Sequence, residues 1–294
     1  CLSSFMFGKQ AVQRRIDLLE AGGAVFTCNT TVGVEVTADQ LRAQYDAVLL
    51  AVGAQRARPL DVPGRDLAGV VPAMDYLTAT TQTHLGTTPK TAFDVKDADV
   101  IVIGGGDTGA DCVGTALRQG CRSLLNITRR EKPGLTRDAA HPWPGPPDTY
   151  TLDYAHAEGA GRFGRDPREF RVQPVAFVAD PADPVRLAGV RVRRLDSGEE
   201  QTLPARFVFL SIGFVGHDSP PLVDAFGLEE SRGRLRNDHH RTAQPGVYVA
   251  GDCRRGASLV VWAIREGRDA ASAIHDDLTS PRAVLAAVPT AAIT

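Results

Sequence analysis

The sequence has few cysteines, and none of them stands in a C-x-x-C pair. An odd number of thiols at scattered spacings does not fit a disulfide framework, a zinc site or an iron–sulfur site. We therefore interpret them as isolated thiols in a reducing cytoplasm. The five residues are Cys1, Cys28, Cys112, Cys121 and Cys253.

Long apolar runs and an excess of positive charge are also absent. No window reaches about 18 uninterrupted apolar residues, the length that a membrane-spanning helix needs, and no secretory signal opens the chain. Lysine and arginine number 33 against 35 aspartate and glutamate, a net charge of −2, whereas a nucleic-acid partner would require a clustered basic surface. The composition predicts a cytoplasmic protein that binds neither membrane nor nucleic acid.

Strand and helix signals alternate along the 294 residues, which is typical of an α/β fold with parallel sheets. The length predicts roughly two domains. Residue 1 is Cys rather than Met, which we interpret as the mark of a fragment or a processed product. Apolar spacing predicts helices at Ala11–Ala21, Thr108–Gln119 and Ser258–Ile274. The predicted strands are Ala24–Thr27, Asp46–Val52, Val100–Ile103, Ser123–Thr128, Phe170–Val178, Leu187–Leu195, Glu199–Leu203, Phe207–Ile212 and Gly246–Ala250.

A glycine-rich turn follows one of these strands and opens a helix. The segment Val100–Gly109 reads VIVIGGGDTG and contains G-x-G-x-x-G. In this context the first glycine permits the tight turn, the second lets the backbone approach a pyrophosphate, and the third lets helix and strand pack closely. The start of the helix offers free N–H groups to the phosphates. The predicted cradle consists of Gly104, Gly106, Asp107, Thr108 and Gly109.

The end of the next strand discriminates between nicotinamide cofactors. A carboxylate there would bind the ribose 2′-hydroxyl of NAD, whereas arginine accommodates the 2′-phosphate of NADP. The strand ends in Thr128–Arg129–Arg130, with no carboxylate before Glu131. We interpret the arginine pair as a phosphate grip that favours NADPH. The alternative is two solvated arginines at a strand end.

A second candidate ligand site lies near the end of the chain. Val247–Asp252 reads VYVAGD, so a buried strand delivers Gly251 and Asp252 to its carboxyl end. The carboxylate could accept hydrogen bonds from a sugar-alcohol chain, and the helix from Ser258 would direct N–H groups at an electron-rich ring edge. The alternative is a buried aspartate in a turn without a ligand.

These motifs, taken together, resemble one family over nearly all of the chain. The chain is similar to the small (β) subunit of glutamate synthase, within the flavoprotein reductases that carry two dinucleotide-binding folds. The segments that carry the likeness are Val12–Glu20, Tyr45–Gly53, Gly104–Gly114, Gly164–Phe170 and Gly251–Arg268.

The resemblance implies FAD beside NADPH. In such proteins the strand that ends at Gly251–Asp252 meets FAD, which would place Asp252 near the ribityl–phosphate region. Ser258, Leu259 and Val260 would lie at the pyrimidine edge of the flavin, and Gly53 would end the family's A-T-G turn, although Val52 replaces the threonine. Chemistry of this kind is carried by the cofactors, so we predict binding residues and no catalytic acid or base.

The resemblance also implies how the chain is organised and what it serves. The expected fold is two Rossmann-like domains, with the NADPH domain inserted into an N-terminally truncated FAD domain. The expected ranges are 1–84 and 215–294 for FAD and 85–214 for NADPH. The family's iron–sulfur cysteines and first FAD glycine motif do not precede Cys1. Electrons would pass through clusters outside this chain to the large subunit of glutamate synthase, which makes glutamate.

Two other functions remain open on the sequence alone. One is another reductase of the same superfamily, such as a ferredoxin–NADP reductase-like subunit; a thioredoxin reductase is disfavoured because no C-x-x-C could relay electrons. The other is a non-catalytic nucleotide-binding module.

Several further polar residues are weaker candidates. His141, Pro142 and Trp143 belong to a Pro- and Gly-rich excursion over 131–166, which either covers a cofactor, meets a partner or is a packed surface loop. His239–His240 reads as a solvated turn rather than a metal site. Arg265 and Glu266 read as surface pairs rather than acid–base catalysts.

Overall fold

The computed structural model describes residues 8–88, 92–137, 139–143 and 149–280. These residues form two compact units. The first contains the described parts of Cys1–Gly22 and Pro59–Ile212, and the second contains Gly23–Arg58 and the described part of Gly213–Thr294. The chain therefore leaves the second unit after Arg58 and returns to it at Gly213.

The boundaries differ from the expected ranges mainly on the N-terminal side. The later division falls at 212/213, beside the expected 214/215, whereas the earlier falls at 58/59 rather than 84/85. The strand Val70–Pro72 pairs with Phe207–Leu210, which draws this part of the chain into the first unit.

The described elements are as follows in chain order. The helices are α1 (Lys9–Ala21), α2 (Ala38–Gln44), α3 (Ala73–His84), α4 (Asp107–Gln119), α5 (Tyr154–Phe163), α6 (Pro220–Phe226), α7 (Asp252–Arg255) and α8 (Val260–Thr279). The strands are β1 (Val48–Leu50), β2 (Arg56–Ala57), β3 (Val70–Pro72), β4 (Asp99–Ile103), β5 (Ser123–Ile127), β6 (Arg168–Glu169), β7 (Val172–Asp180), β8 (Asp183–Arg194), β9 (Glu200–Pro204), β10 (Phe207–Leu210), β11 (Phe214–Gly216), β12 (Glu230–Ser231), β13 (Arg234–Leu235) and β14 (Val247–Val249).

A parallel sheet forms the centre of the first unit. Its strand order is β3-β10-β4-β5-β6, and every pair in it runs parallel. Strand β4, helix α4 and strand β5 form the predicted βαβ unit, and α4 ends at Gly120 in the predicted left-handed conformation. A three-stranded antiparallel sheet, β7-β8-β9, contains the predicted hairpin.

Both faces of the parallel sheet are covered, as the continuous apolar run of β4 predicts. Val100 and Val102 pack into one cluster with Tyr76 and residues of α4. Ile101 and Ile103 point the other way and pack with residues of β7 and β8. Alternate side chains of one strand therefore serve two cores, and its carboxyl end is held firmly where the glycine turn begins.

The second unit contains a shorter parallel pair. Strand β1 pairs with β14 in the register Leu50 to Val249, and β14 is buried along its length. The apolar run Asp46–Val52 predicts a strand that is covered on both faces. This prediction is wrong, because Leu49 in β1 is 38% exposed. In the described residues β1 pairs only with β14, so no described strand lies along its other edge.

The structure corrects several predicted elements. Ala24–Thr27 is not a strand: Val25 is 88% exposed, and no described strand pairs with this segment, so neither burial nor a ladder stabilises it. The helix expected over Ser258–Ile274 runs instead from Val260 to Thr279.

Two helices of the first unit have no counterpart in the sequence prediction. Helix α3 buries Ala73, Tyr76 and Leu77 at helical spacing. Helix α5 lies in the second half of the excursion that we expected to be irregular. Its buried face consists of small and polar residues, so a search for apolar periodicity does not find it. The same excursion contains the stretch His141–Pro147 (HPWPGPP), of which Pro144–Pro147 lie outside the described residues.

Among the described residues, no helix is both long enough and apolar enough to cross a membrane.

Candidate functional site

The glycine turn after β4 has the geometry that the motif predicts for its first member. Gly104 has φ +129°, and a Cβ at this position would lie 2.2 Å from the carbonyl oxygen of Ser211 at the end of β10. Only glycine permits this conformation and this approach. The chain can therefore turn tightly between the two central strands.

The other two motif glycines face different surroundings. A Cβ on Gly109 would lie 2.9 Å from the carbonyl oxygen of Gly104, so the start of α4 packs directly on the turn. A Cβ on Gly106 would meet no atom within 4 Å, and the residue is exposed. Gly106 thus leaves one side of the turn open, which is required if a ligand is to come close to the protein backbone.

The start of α4 can receive an anion. Gly106 is its N-cap, and no side chain caps it. The amide of Gly109 donates to the carbonyl oxygen of Gly106 at 2.8 Å, which leaves the amides of Asp107 and Thr108 to face water or a ligand. The helix dipole adds positive potential there. Asp107 and Thr108 form this first turn, and the Asp107 carboxylate favours the helix through the same dipole. The arrangement fits a pyrophosphate.

The predicted arginine pair lies at the same edge of the sheet. The amide of Gly104 donates to the carbonyl oxygen of Ile127 at 2.9 Å, which joins the ends of β4 and β5. A Cβ on Gly105 would lie 3.4 Å from Thr128 Oγ1, and that hydroxyl accepts a bond from the amide of Arg130 at 3.2 Å. Arg129 and Arg130 are both exposed. The structure thus brings together the glycine turn and two exposed arginines.

Sequence reasoning missed the side chains that hold this turn. Asn126 is 2% exposed, and its Nδ2 donates to the carbonyl oxygen of Gly104 at 2.6 Å. The hydroxyl of Ser211 donates to the carbonyl oxygen of Ile103 at 3.0 Å. Both residues lie at the ends of the strands that flank β4, which is the only signal that could have indicated them.

The second predicted site consists of two turns at the ends of β1 and β14. The amide of Ala250 donates to the carbonyl oxygen of Leu50 at 3.1 Å, so Gly53 and Gly251 end neighbouring strands. Cys253 is fully buried beneath them, and its thiol contacts the carbonyl oxygen of Leu50 at 3.5 Å. Burial raises the pKa of this thiol. Cys253 is thus a packing residue that joins the two turns.

Asp252 and the start of α8 flank these turns. Burial raises the pKa of the Asp252 carboxyl, which a hydrogen bond from the backbone of Ser258 opposes. Ser258 is exposed, and Leu259 and Val260 are 57% and 65% exposed. Helix α8 has no side-chain cap at Leu259. Free N–H groups and uncovered apolar side chains therefore lie together, which suits the edge of an aromatic ring system.

Glu266 contradicts the prediction of a surface pair. It is 2% exposed and accepts hydrogen bonds from the amide of Gly251 at 2.9 Å, from Arg254 at 2.8 Å and from Arg255 at 2.7 Å. Burial acts to raise the pKa of this carboxyl, but its arginine and amide donors outweigh burial and lower the pKa. Glu266 therefore holds the turn at Gly251. Arg265 does form a surface pair, with Asp269 at 3.0 Å.

The remaining candidates divide between surface and interior. His239 is exposed as predicted, but the prediction is wrong for His240, which is 7% exposed with Nδ1 3.0 Å from the carbonyl oxygen of Val249. Pro142 is exposed and Trp143 is 82% exposed, whereas His141 is half-buried. Within the described residues, no group of three or more His, Cys, Asp or Glu side chains could hold a metal ion.

The fold and the glycine turn are typical of dinucleotide-binding proteins, and the comparison with known families agrees. The family model for pyridine nucleotide-disulphide oxidoreductases matches residues 9–141 and 175–267. The chain belongs to this family.

Similar proteins of known name include glutamate synthase small chains. The chain is 43% identical to "Glutamate synthase [NADPH] small chain" of Bacillus subtilis (strain 168), over 90% of this chain and 56% of the relative. It is 39% identical to the protein of the same name from Mycobacterium tuberculosis (strain H37Rv), over 99% of this chain and 61% of the relative. The chain thus spans somewhat more than half the length of these relatives.

Solved structures share the fold. A structure of Mycobacterium tuberculosis FprA in complex with NADPH has a TM-score of 0.67 at 19% identity and covers 97% of this chain and 75% of its own. A thioredoxin reductase from T. acidophilum has a TM-score of 0.54 at 22% identity, covering 80% and 66% respectively. These likenesses confirm the predicted α/β fold with two dinucleotide-binding-type domains.

Proposed function

We propose that this chain is part of an NADPH-oxidising, flavin-dependent oxidoreductase subunit of the glutamate synthase small-chain type. The observation that carries the proposal is the glycine turn at Gly104–Gly109, open at Gly106, beside the exposed pair Arg129 and Arg130. The relatives named glutamate synthase [NADPH] small chain support it over 90% and 99% of the chain.

The residues of the first unit would bind and orient the nicotinamide dinucleotide. When bound, NADPH supplies a hydride and FAD accepts it. The N–H groups at the start of α4 would receive the pyrophosphate, and Gly106 would let the backbone approach. Arg129 and Arg130 would bind the 2′-phosphate by charge-assisted hydrogen bonds. No acid or base from the protein is required.

The residues of the second unit would bind the flavin. Gly53 and Gly251 would admit close approach at neighbouring strand ends, and Asp252 would accept hydrogen bonds from the ribityl chain. Ser258, Leu259 and Val260 would meet the pyrimidine edge, where the uncapped start of α8 offers N–H groups.

The small-chain assignment extends to a partner and a location. Electrons would leave through iron–sulfur clusters outside this chain to a glutamate synthase large subunit, for glutamate synthesis. The names of the relatives support this partner. A cytoplasmic location is supported by the free thiols of Cys28, Cys112, Cys121 and Cys253.

Changing both arginines tests the cofactor preference. In the variant R129A/R130A, we expect the Kd for NADP⁺ to rise at least about tenfold while the Kd for NAD⁺ stays within about twofold, because two charge-assisted contacts are lost. Titration calorimetry measures both. R14A/R15A, an exposed pair on α1, is the matched control. An unchanged preference for NADP⁺ in R129A/R130A would remove the specificity argument.

A visible absorption spectrum separates the reductase from a non-catalytic module. We expect the chain, supplied with FAD, to hold a yellow flavin that bleaches when NADPH is added. A colourless protein that still binds NADPH would overturn the reductase and favour the module. Co-purification with a large amidotransferase subunit distinguishes glutamate synthase from another reductase of the superfamily.

A further inference from the structure

A chain of hydrogen bonds runs from helix α5 to the glycine turn. Asn126 of β5 donates through Nδ2 to the carbonyl oxygens of Val102 at 3.1 Å and Gly104 at 2.6 Å. Its Oδ1 lies 2.9 Å from Nε2 of His156, which is 4% exposed. The first carbonyl of the turn is thus tied to a buried histidine on a different element.

The other ring nitrogen of His156 faces a carboxylate. Nδ1 lies 2.7 Å from Oδ2 of Asp153, the N-cap of α5. Oδ1 of Asp153 also accepts the backbone amides of His156 at 3.0 Å and Ala155 at 3.1 Å. Burial acts to raise the pKa of Asp153, but the hydrogen bonds from His156 and Ala155 outweigh it and lower the pKa. The carboxylate is therefore ionised and accepts only.

The donors and acceptors of this chain fix the protonation of the ring. Two carbonyl oxygens face Nδ2 of Asn126, so the amide cannot be reversed without setting its oxygen against both of them. Oδ1 therefore faces His156 and requires a donor. Since Asp153 requires a donor at the other nitrogen, both ring nitrogens carry hydrogen, and the ring is an imidazolium.

We propose that His156 is a positioning residue for the glycine turn, acting through Asn126 as an imidazolium. This inference rests on the proposed function, since the turn is the site proposed to bind the NADPH pyrophosphate. Loss of the Nε2 proton would set a lone pair against Oδ1 of Asn126. The amide would then turn away, and the carbonyl of Gly104 would lose its tether.

Among the described residues, Asp153 is the charged group that lies within hydrogen-bond distance of the ring. From α4, Asp111 accepts a bond from the hydroxyl of Tyr154 at 2.5 Å, and burial raises the pKa of this carboxyl. Arg118 of α4 pairs with Glu158 of α5 at 2.8 Å. The titratable or charged groups on the elements around the ring are Asp107, Asp111, Cys112, Arg118, Asp153, Tyr154, Glu158 and Arg162.

The test compares two variants of α5. His156→Asn retains a donor toward Asp153 but cannot reach Asn126. Arg162→Gln is the control, because Arg162 ties the far end of α5 to the carbonyl oxygens of Leu117 and Cys121 at 2.8 and 2.9 Å without touching the turn. The Kd for NADP⁺ is measured by calorimetry from about pH 5.5 to about pH 9.5 on the full chain.

The expected result is a pH-dependent ratio. The Kd of H156N divided by that of the wild type should be about fivefold to tenfold at low pH and should fall toward one as the pH rises. The ratio for R162Q should stay near one throughout. A ratio for H156N that is near one at low pH, or that does not change with pH, would overturn the proposal.

A second measurement does not depend on the dinucleotide. In protein labelled with ¹⁵N-histidine, both ring nitrogens of His156 should carry hydrogen at neutral pH, and the spectrum of H156N identifies the signals. A ring with one bare nitrogen would contradict the relay. If NADP⁺ fails to bind the wild type at any pH, the proposed function is lost, while the ring spectrum still decides the protonation of His156.

Discussion

At Gly104 an added methyl group would lie 2.2 Å from a backbone oxygen, whereas at Gly106 it would meet nothing within 4 Å. Two glycines of one motif are therefore required for different reasons. The first serves the fold, because its φ of +129° and its neighbour exclude a side chain. The second, on the proposed function, leaves room for a phosphate, because a Cβ added there would meet no atom of the described residues within 4 Å.

Substitution at the two positions should separate stability from binding. We expect Gly104→Ala to lower the free energy of unfolding by about 3 kcal/mol. Gly106→Ala should change it by less than about 1 kcal/mol while raising the Kd for NADP⁺ about tenfold. Denaturant unfolding and calorimetry measure the two effects. Equal destabilisation by both substitutions would contradict this division.

The contribution of Glu266 to stability should depend on pH, which allows its role in holding the turn at Gly251 to be tested. Its pKa is lower in the folded protein than the ordinary 4.5, so its stabilising effect is present above that value and is lost as the pH falls. We expect Glu266→Gln to cost about 2 kcal/mol of unfolding free energy at neutral pH, because three donors lose a charged acceptor. Unfolding at several pH values should show this cost shrinking below about pH 4.5. A constant cost would argue against ionised Glu266 as the source.

At the scale of elements, helix α5 is fixed by its two ends. Asp153 caps the first turn, and Gly164 ends the helix with φ +72° and open space around its Cβ position. Gly161 lies within the same helix, also in open space but with an ordinary helical backbone. The two glycines therefore differ in backbone conformation and not in crowding.

This pair gives a matched test. Gly164→Ala should destabilise the protein by about 1 kcal/mol, because alanine is strained in the left-handed region. Gly161→Ala should stabilise it by up to about 1 kcal/mol, because alanine favours the helix interior. Thermal or denaturant unfolding compares them. A gain in stability at Gly164 would show that the cap is not left-handed.

The elements that could be predicted are those with one dominant signal. Strand β4 is a continuous apolar run, α4 combines apolar spacing with a terminal glycine, and the β8–β9 hairpin has a clear turn. Helix α5 escaped prediction because its buried positions are Ala155, His156 and Gly159, which carry no apolar period. The prediction of a strand at Ala24–Thr27 was wrong because a strand also needs a neighbouring strand to pair with, and a local apolar pattern does not show whether one is present.

The same limit applies to the candidate site. The glycine motif and the arginine pair are each formed by neighbouring residues, so residue type and spacing alone were enough to identify them as candidates. Asn126 and Glu266 are defined by contacts with Gly104 and Gly251, which lie 22 and 15 positions away. From the sequence alone, a charged residue such as Glu266 is predicted to lie on the surface, because the arginines that pair with it become known only from the fold.

At the scale of the whole molecule, each unit is built from two separate segments of the chain, because the chain leaves the first unit after Gly22, returns to it at Pro59 and leaves it again after Ile212. Each unit has a parallel strand pair whose carboxyl ends carry glycine turns, Gly104 in the first and Gly53 with Gly251 in the second. Ligands of α/β sheets bind at such strand ends. On the proposed function, the two sets of strand ends would hold the two dinucleotides.

The central claim is that the turn after β4 receives the pyrophosphate of NADP⁺. The most direct test is a crystal structure determined from crystals of the protein that have been soaked with NADP⁺. We expect density for the pyrophosphate against the amides at the start of α4 and for the 2′-phosphate beside Arg129 and Arg130. Density for the dinucleotide at any other place, with this turn empty, would contradict it.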